Sequence, residues 1–172
     1  MPSSRRLLGL RAAFFFLLLP GTAAGYVPFR ILRALGRLAP PEPTLSSLAA
    51  SLFIVAGTAA LLRCVWEFFS TGRGTLAPVD PPVVLVVGGL YRFTRNPMYN
   101  AVLVILLGQA WLFRSWVLAL YALGVLVIFH LFVVLYEERT LEARFGASYR
   151  AYAQAVPRWG FTLHPYAAAS GG

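Results

Sequence analysis

The sequence predicts an all-α integral membrane protein: about four transmembrane helices, with a C-terminal amphipathic helix packing under a cytoplasmic connector. Three observations carry that expectation. Of the 172 residues, 59% are hydrophobic and only 12% are charged, whereas a soluble domain carries about 25% charge. The apolar residues gather in long runs separated by short polar connections. The basic residues stand at the ends of those runs, where the cytoplasmic loops of membrane proteins need them.

That placement also decides between partners. A net charge of +9 would by itself suggest nucleic acid, but its distribution fits a bilayer, and no nucleic-acid partner is expected. All 15 basic residues are arginine, so no lysine nucleophile exists. A single cysteine, Cys64, excludes an internal disulfide and any multi-cysteine metal site; no metal is expected.

The first apolar run goes from Ala12 to about Phe29, after Arg5, Arg6 and Arg11 and across Pro20-Gly21. A charged start, a short apolar stretch and small residues at Thr22-Ala23-Ala24 also describe a secretory leader. The return of apolar character at Tyr26-Val27-Pro28-Phe29 lets a kinked helix cross the membrane instead. Ile31 to Leu38 comes next with Arg30, Arg33 and Arg37 on one helical face, which suits a short interfacial helix over residues 30–38.

The second span runs from Leu45 to Phe69, enough to cross a hydrocarbon core of about 30 Å. Near its end Arg63 and Glu67 stand one turn apart and can pair. The third span, Met98 to Phe113, is short; the fourth is Trp116 to Tyr136. Only Arg114-Ser115 separates these two, so they form a tight antiparallel hairpin with Trp111 and Trp116 at its tip. Four spans put both termini on one side. That side holds eleven arginines, against four (Arg30, Arg33, Arg37 and Arg114) on the other. The bias places both termini in the cytoplasm. The chain divides into three regions: an N-terminal membrane region over 1–69, a core over 70–166 and a disordered tail over 167–172.

The connector between the second and third spans is not an ordinary linker. Gly72-Arg73-Gly74-Thr75 and Pro78-Val79-Asp80-Pro81-Pro82 are turn-rich. Val83 to Val87 is a short apolar run, and Gly88-Gly89 permits close backbone approach to a ligand. Pro97 suits the first turn of the next helix, and the amides there, with Arg92 and Arg95, make an anion site for a carboxylate or phosphate. Anchoring of these arginines to lipid head groups is the plainer alternative.

Glu137-Glu138 closes the fourth span, where the helix dipole and mutual repulsion both oppose carboxylates. Arg139 and Arg144, or a bound cation, would offset that cost. His130 lies two turns before Glu137 on the same face, and a histidine inside a span is either functional or bonded to a neighbouring helix. Beyond Glu138 the spacing of Leu141, Phe145, Tyr149 and Tyr152 gives an amphipathic helix, punctuated by Gly146 and Pro157, that folds back under the connector.

Taken together, the ordered motifs from Gly72 to Trp159 resemble the isoprenylcysteine carboxyl methyltransferase and phospholipid methyltransferase superfamily. They are Gly-x-Gly-Thr, Asp-Pro-Pro, Gly-x-Tyr-x-x-x-Arg-Asn-Pro-Met-Tyr, Glu-Glu-x-x-Leu and Gly-x-x-Tyr-x-x-Tyr-x-x-x-Val-Pro-Arg. The resemblance implies an S-adenosylmethionine pocket built by the connector, the hairpin and the C-terminal helix. By position the cofactor would touch the backbone of Val83, Val84, Leu85 and Val86. Tyr91, Asn96, Pro97, Met98 and Tyr99 would come next, with Glu137 as the acidic contact. Eukaryotic members usually carry histidine where Asn96 stands, and asparagine excludes proton transfer there. They also carry an arginine at the position of Val133, which argues against prenylcysteine carboxylate recognition. The Asn-Pro-Met-Tyr form looks like bacterial members, which implies a bacterial inner (plasma) membrane.

The implied reaction is an in-line displacement in which the protein supplies alignment and removes water. His130 and Arg95 are the candidate catalytic residues. A carboxylate acceptor needs no base, whereas an ammonium acceptor must first lose a proton, and His130 would favour the second case. The expected partner is a lipid-like or isoprenoid-type small acceptor in the bilayer. A membrane-embedded lipid reductase of related architecture and a non-catalytic membrane partner protein stay open beside it, although no glycine-rich dinucleotide fingerprint is present.

Overall fold

The computed structural model describes residues 19–39, 41–71 and 85–167. The N-terminal arginines, the Gly-x-Gly-Thr and Asp-Pro-Pro motifs, Val83, Val84 and the end of the tail lie outside the described residues. Their regular structure is all helical, with no strand among the described residues. In order they form a π-helical turn Thr22–Tyr26 leading into α1 (Val27–Ala34), then α2 (Leu45–Thr71) and a 3-10 turn Gly89–Arg92. Next come α3 (Pro97–Leu112), α4 (Trp116–Phe132), a second π-helical turn Val133–Glu137, α5 (Glu138–Phe145) and α6 (Ala147–Ala155).

Two helices are long and apolar enough to cross a membrane: Leu45–Glu67, and Trp116–Phe145 through the second π turn. Their most apolar windows are only 11% and 22% buried within the chain. They are therefore not core helices of a water-soluble fold, which would hide such surface. Leu52, Val55 and Leu62 of α2, with Val127, Ile128 and Leu131 of α4, face outward. Between them α3 is apolar but shorter, at 16 residues. The first seven residues of the first expected span, 12–18, lie outside the described residues.

Helix α2 lies against α3 through small residues. A Cβ on Gly57 would sit 2.8 Å from Ile105 Cγ1 and 3.0 Å from the Ala101 carbonyl oxygen. Reciprocally, one on Gly108 would sit 2.8 Å from Ile54 Cγ1 and 3.2 Å from the Ala50 oxygen. Two glycines facing opposite helices draw the backbones together, as transmembrane pairs require when apolar burial gives no net drive. The hairpin forms at the expected place. Its tip uses Arg114 at φ 46°, Ser115 caps α4 by accepting from the Leu118 amide, and Arg37 donates to the carbonyls of Phe113 and Arg114.

Three expectations need correction. The arginine-bearing segment after the first run is not a separate interfacial helix over 30–38: α1 continues directly from the π turn and ends at Ala34. Pro28 explains the irregular turn, because it has no N–H for the carbonyl four residues back. Gln109 Nε2 donates to the Ala24 oxygen at 2.8 Å instead, and the Tyr121 hydroxyl donates to that of Ala23 at 3.0 Å. Second, Glu137-Glu138 does not end a helix. The chain widens into a π turn and runs on to Phe145, so no helix C-terminus opposes these carboxylates. Third, the C-terminal amphipathic helix is two helices, broken at Gly146 with φ 53°. Its aromatic face does fold under the connector: Tyr149, Tyr152 and Val156 pack with Leu85, Val87, Leu141, Phe145 and Tyr166.

Candidate functional site

The start of α3 and the π turn after α4 meet beneath the connector. Tyr99, on the first turn of α3, donates its hydroxyl to Glu137 Oε2 at 2.9 Å. Its ring packs on Phe129 with centroids 4.6 Å apart. The π turn sets this geometry. One extra residue in a helix of 3.6 residues per turn rotates the rest of the helix by about 100°. His130 and Glu137 therefore do not share a face, contrary to the expectation from a regular helix. Glu137 turns to Tyr99, while His130 is exposed and accepts at Nδ1 from Trp159 Nε1 at 3.1 Å.

Glu138 is the hub of the second layer. Arg158 grips it with two bonds, Nε to Oε1 at 2.7 Å and Nη2 to Oε2 at 2.8 Å. Arg95 Nη1 reaches Oε1 at 2.9 Å, with the Arg95 and Glu138 side chains 14% and 18% exposed. The bond to Glu138 pushes the Arg158 pKa up, so this cation persists at any physiological pH. These partners come from the connector and the C-terminal segment, not from Arg139 and Arg144 as the local sequence suggested. Arg95 also donates to the Tyr149 hydroxyl at 3.4 Å, and its Nε–H is buried without an acceptor. Asn96 is 5% exposed and donates from Nδ2 to the Arg158 carbonyl at 3.1 Å.

The expected anion site at the start of α3 lacks its arginines. Arg92 Nε donates to the Tyr166 carbonyl and Arg95 is engaged with Glu138. The segment after α6 accounts for this: it runs beside residues 92–95, with Arg95 N–H donating to Pro157 O, Thr162 N–H to Phe93 O and Tyr166 N–H to Arg92 O. Tyr152 adds a bond from its hydroxyl to Tyr91 O at 2.7 Å. Burial pushes the pKa values of Tyr91, Tyr149 and Tyr152 up, so these phenols stay protonated; Tyr152 donates to the Tyr91 carbonyl while Tyr149 accepts from Arg95.

Gly89 serves a different approach from the one expected. It adopts φ 49°, and a Cβ there would collide with the Glu67 carboxylate. Glu67 Oε2 accepts from the Leu90 amide at 3.2 Å while Oε1 takes Arg63 at 3.1 Å. The predicted Arg63–Glu67 pair is therefore present, and it also ties α2 to the connector. Gly88 faces open space.

Of the residues singled out by sequence, Tyr99 and Glu137 are in contact, and Asn96 and Arg95 both join the Arg158 segment. Pro97 opens α3 and is buried, Met98 is half-buried beside it, and Val86 is buried in the connector. Leu85 and Tyr91 meet the α6 aromatics. His130 stands apart, reached by Trp159. Sequence reasoning missed Glu138 as a hub, Arg158 as its partner and Trp159 as the neighbour of His130. The Val-Pro-Arg motif was the available signal for Arg158.

No curated protein and no solved structure matches this chain. A family profile described as phospholipid methyltransferase does match, over residues 45–148. That stretch takes in both membrane-capable helices, the connector, the hairpin and Glu137-Glu138. Because the match covers more than half of the chain, the protein belongs to the phospholipid methyltransferase family, within the superfamily that also holds the isoprenylcysteine carboxyl methyltransferases.

Proposed function

We propose that this protein is an S-adenosylmethionine-dependent integral membrane methyltransferase that acts on a lipid or isoprenoid-type small acceptor at the cytoplasmic face, with both termini cytoplasmic. The observation that carries the reading is the Tyr99–Glu137 contact. It joins the motif opening α3 to the acidic motif after α4, at a widened helical turn. Such turns concentrate at functional sites.

The residues present fit the cofactor. It carries a cationic sulfonium and ammonium and an anionic carboxylate. Glu137 offers an acceptor for a cation, and Arg95 Nε–H is a buried donor in want of one. When bound, the cofactor supplies an electrophilic methyl group on sulfur. The chain's own residues hold and align. Tyr99 fixes the Glu137 carboxylate, and Asn96 ties the start of α3 to the Arg158 carbonyl without a titratable proton. Arg95 acts through Glu138 as a positioning residue. The aromatic cluster of α6 closes the connector side against water. Val133 is 1% exposed, so its position has no room for the arginine a prenylcysteine carboxylate site would need. His130, on the outward face, is the residue that meets the acceptor.

Calorimetric titration with S-adenosylmethionine tests the assignment. Glu137→Ala should weaken binding by about 1.5–3 kcal/mol, the loss of a hydrogen bond to a charged group. Glu142→Ala should not, because Glu142 is half exposed and meets Arg150 at 3.4 Å on the outer face of α5. Equal affinities in the two variants would refute the role of Glu137. Labelled methyl groups should enter extracted lipid and not a farnesylated cysteine analogue; the reverse would overturn the acceptor class.

A further inference from the structure

The pairing of His130 with Trp159 fixes what the histidine can do. An indole N–H only donates. With Trp159 Nε1 at 3.1 Å from His130 Nδ1, Nδ1 must present its lone pair, and the neutral ring then carries its proton on Nε2. The rings stack at 6.2 Å between centroids with 30° between planes, which holds the imidazole edge in place. Trp159 is itself anchored, since it comes directly after Arg158 and its two bonds to Glu138. The basic nitrogen is thus occupied, and the free edge of the ring offers an N–H. Protonating Nδ1 would set two N–H groups against each other and forfeit the indole bond.

This free edge lies where a bilayer lipid would arrive. His130 is exposed, among the outward-facing Val127, Ile128 and Leu131. We propose that His130 is a hydrogen-bond donor that recognises an oxygen of the acceptor's polar group, a phosphodiester or a carboxylate, and that Trp159 is the positioning residue that makes it so. His130 is then not the base that deprotonates an ammonium acceptor, the role its sequence position suggested. An ammonium placed at Nε2–H would meet a donor; a neighbouring phosphate oxygen meets its proper partner and leaves the reacting atom beyond it. This inference rests on the methyltransferase reading for its substrate, but the state of the ring is separable from it.

The chain has two histidines, His130 and His164, so the full-length protein carrying His164→Gln and nitrogen-15 histidine gives one imidazole by NMR. Protonated Nε2 and unprotonated Nδ1 are expected, and Trp159→Phe, which keeps the stacking and removes the donor, should release that bias. A ring protonated on Nδ1 would overturn the proposal. Titration with dicaproyl phosphatidylethanolamine or with caproate should move the Nε2 resonance, and the more effective ligand identifies phosphodiester or carboxylate; movement with neither overturns the recognition role. Methyl transfer to phosphatidylethanolamine vesicles supplies the kinetic arm. His130→Ala should raise KM for lipid about tenfold, the loss of one hydrogen bond, with affinity for S-adenosylmethionine retained. His130→Gln, which carries an N–H near the Nε2 position but cannot act as a base, should restore most of it. A glutamine variant as impaired as alanine, with the loss in kcat, would make His130 a base and overturn the proposal. Lack of transfer by the unaltered protein, beside the expected NMR result, would count against the enzyme reading alone.

Discussion

The contact between α2 and α3 and the cap formed by the connector with residues 138–166 are held together by opposite means. In the helix pair, Gly57 and Gly108 remove side chains so that backbones nearly touch. In the cap, long polar side chains cross from distant segments: Arg95 and Arg158 to Glu138, Arg92 to Tyr166, Tyr152 to Tyr91. Lipid is as apolar as leucine, so burying leucine between two spans gains little, and close approach is the available source of attraction. Where water reaches, apolar burial and charge pairing both regain their usual weight, and a buried charge must find its partner. The site lies where the two regimes meet, with Tyr99 rooted in α3 and Glu137 in the turn that enters the cap.

The sharpest way to break the comparison is through Glu138. Glu138→Ala leaves two guanidinium groups facing each other without their shared carboxylate. Removing one member of a buried ion pair costs about 3–5 kcal/mol; the lower end is expected because the Arg158 side chain is 33% exposed. Thermal unfolding in detergent should fall steeply, and proteolysis should open the segment after Pro157 first. Protection there equal to the unaltered protein would mean that the hub does not hold the cap.

Gly57→Val attacks the other regime. Its Cβ alone would meet the Ile105 side chain at 2.8 Å and the Ala101 carbonyl at 3.0 Å. Overpacking of this kind costs about 1–3 kcal/mol. Ile105→Ala in the same chain should recover part of that loss, since the nearest obstacle is a side chain, but not all, since the next is backbone. Complete recovery would show that backbone proximity is not what joins the helices.

The two regimes also differ in how legible they were. The runs that form α2, α3 and α4, the two-residue hairpin tip and the Arg63–Glu67 pair come from local spacing, and the structure places them as read. The π turn after α4 does not. Nothing in Val133-Val134-Leu135-Tyr136-Glu137 announces an extra residue in the turn, so the relative facing of His130 and Glu137 was misread. The partner of Glu138 was sought among the nearest arginines, because sequence reasoning sees one or two turns and Arg158 acts across twenty residues. The start of α3 and the acidic pair came out through motif resemblance. That route names positions but gives no geometry, which is why Trp159 went unnoticed beside His130.

A smaller effect is expected from Tyr152→Phe. The ring remains in its aromatic cluster, so only the 2.7 Å bond to the Tyr91 carbonyl is lost, leaving an acceptor half-buried under the connector. About 1 kcal/mol is expected, visible as a lower unfolding temperature. The more telling reading is faster amide exchange through residues 88–94 with none in α2 or α3. Exchange spread evenly through the helices would mean that cap and membrane pair unfold as one unit.

The smallest effect is expected inside the membrane pair's own surroundings, at Gln109. Its Nε2 serves the Ala24 carbonyl left bare by Pro28, and a bare carbonyl in lipid is by itself expensive. Two considerations reduce the cost. Hydrogen bonds between spans contribute only about 0.6 kcal/mol on average, because the alternative state also finds partners. The other end of the same amide, Oε1, is buried without a donor, so Gln109→Leu removes an unsatisfied oxygen along with a useful N–H. A loss of about 0.6 kcal/mol or less is therefore expected. The cause can be isolated. Pro28→Ala restores a backbone N–H at the position that should serve Ala24, so Gln109→Leu should cost nothing further in that background. If the two substitutions instead add, the glutamine is holding α3 to the first helix by something other than the carbonyl that proline exposes.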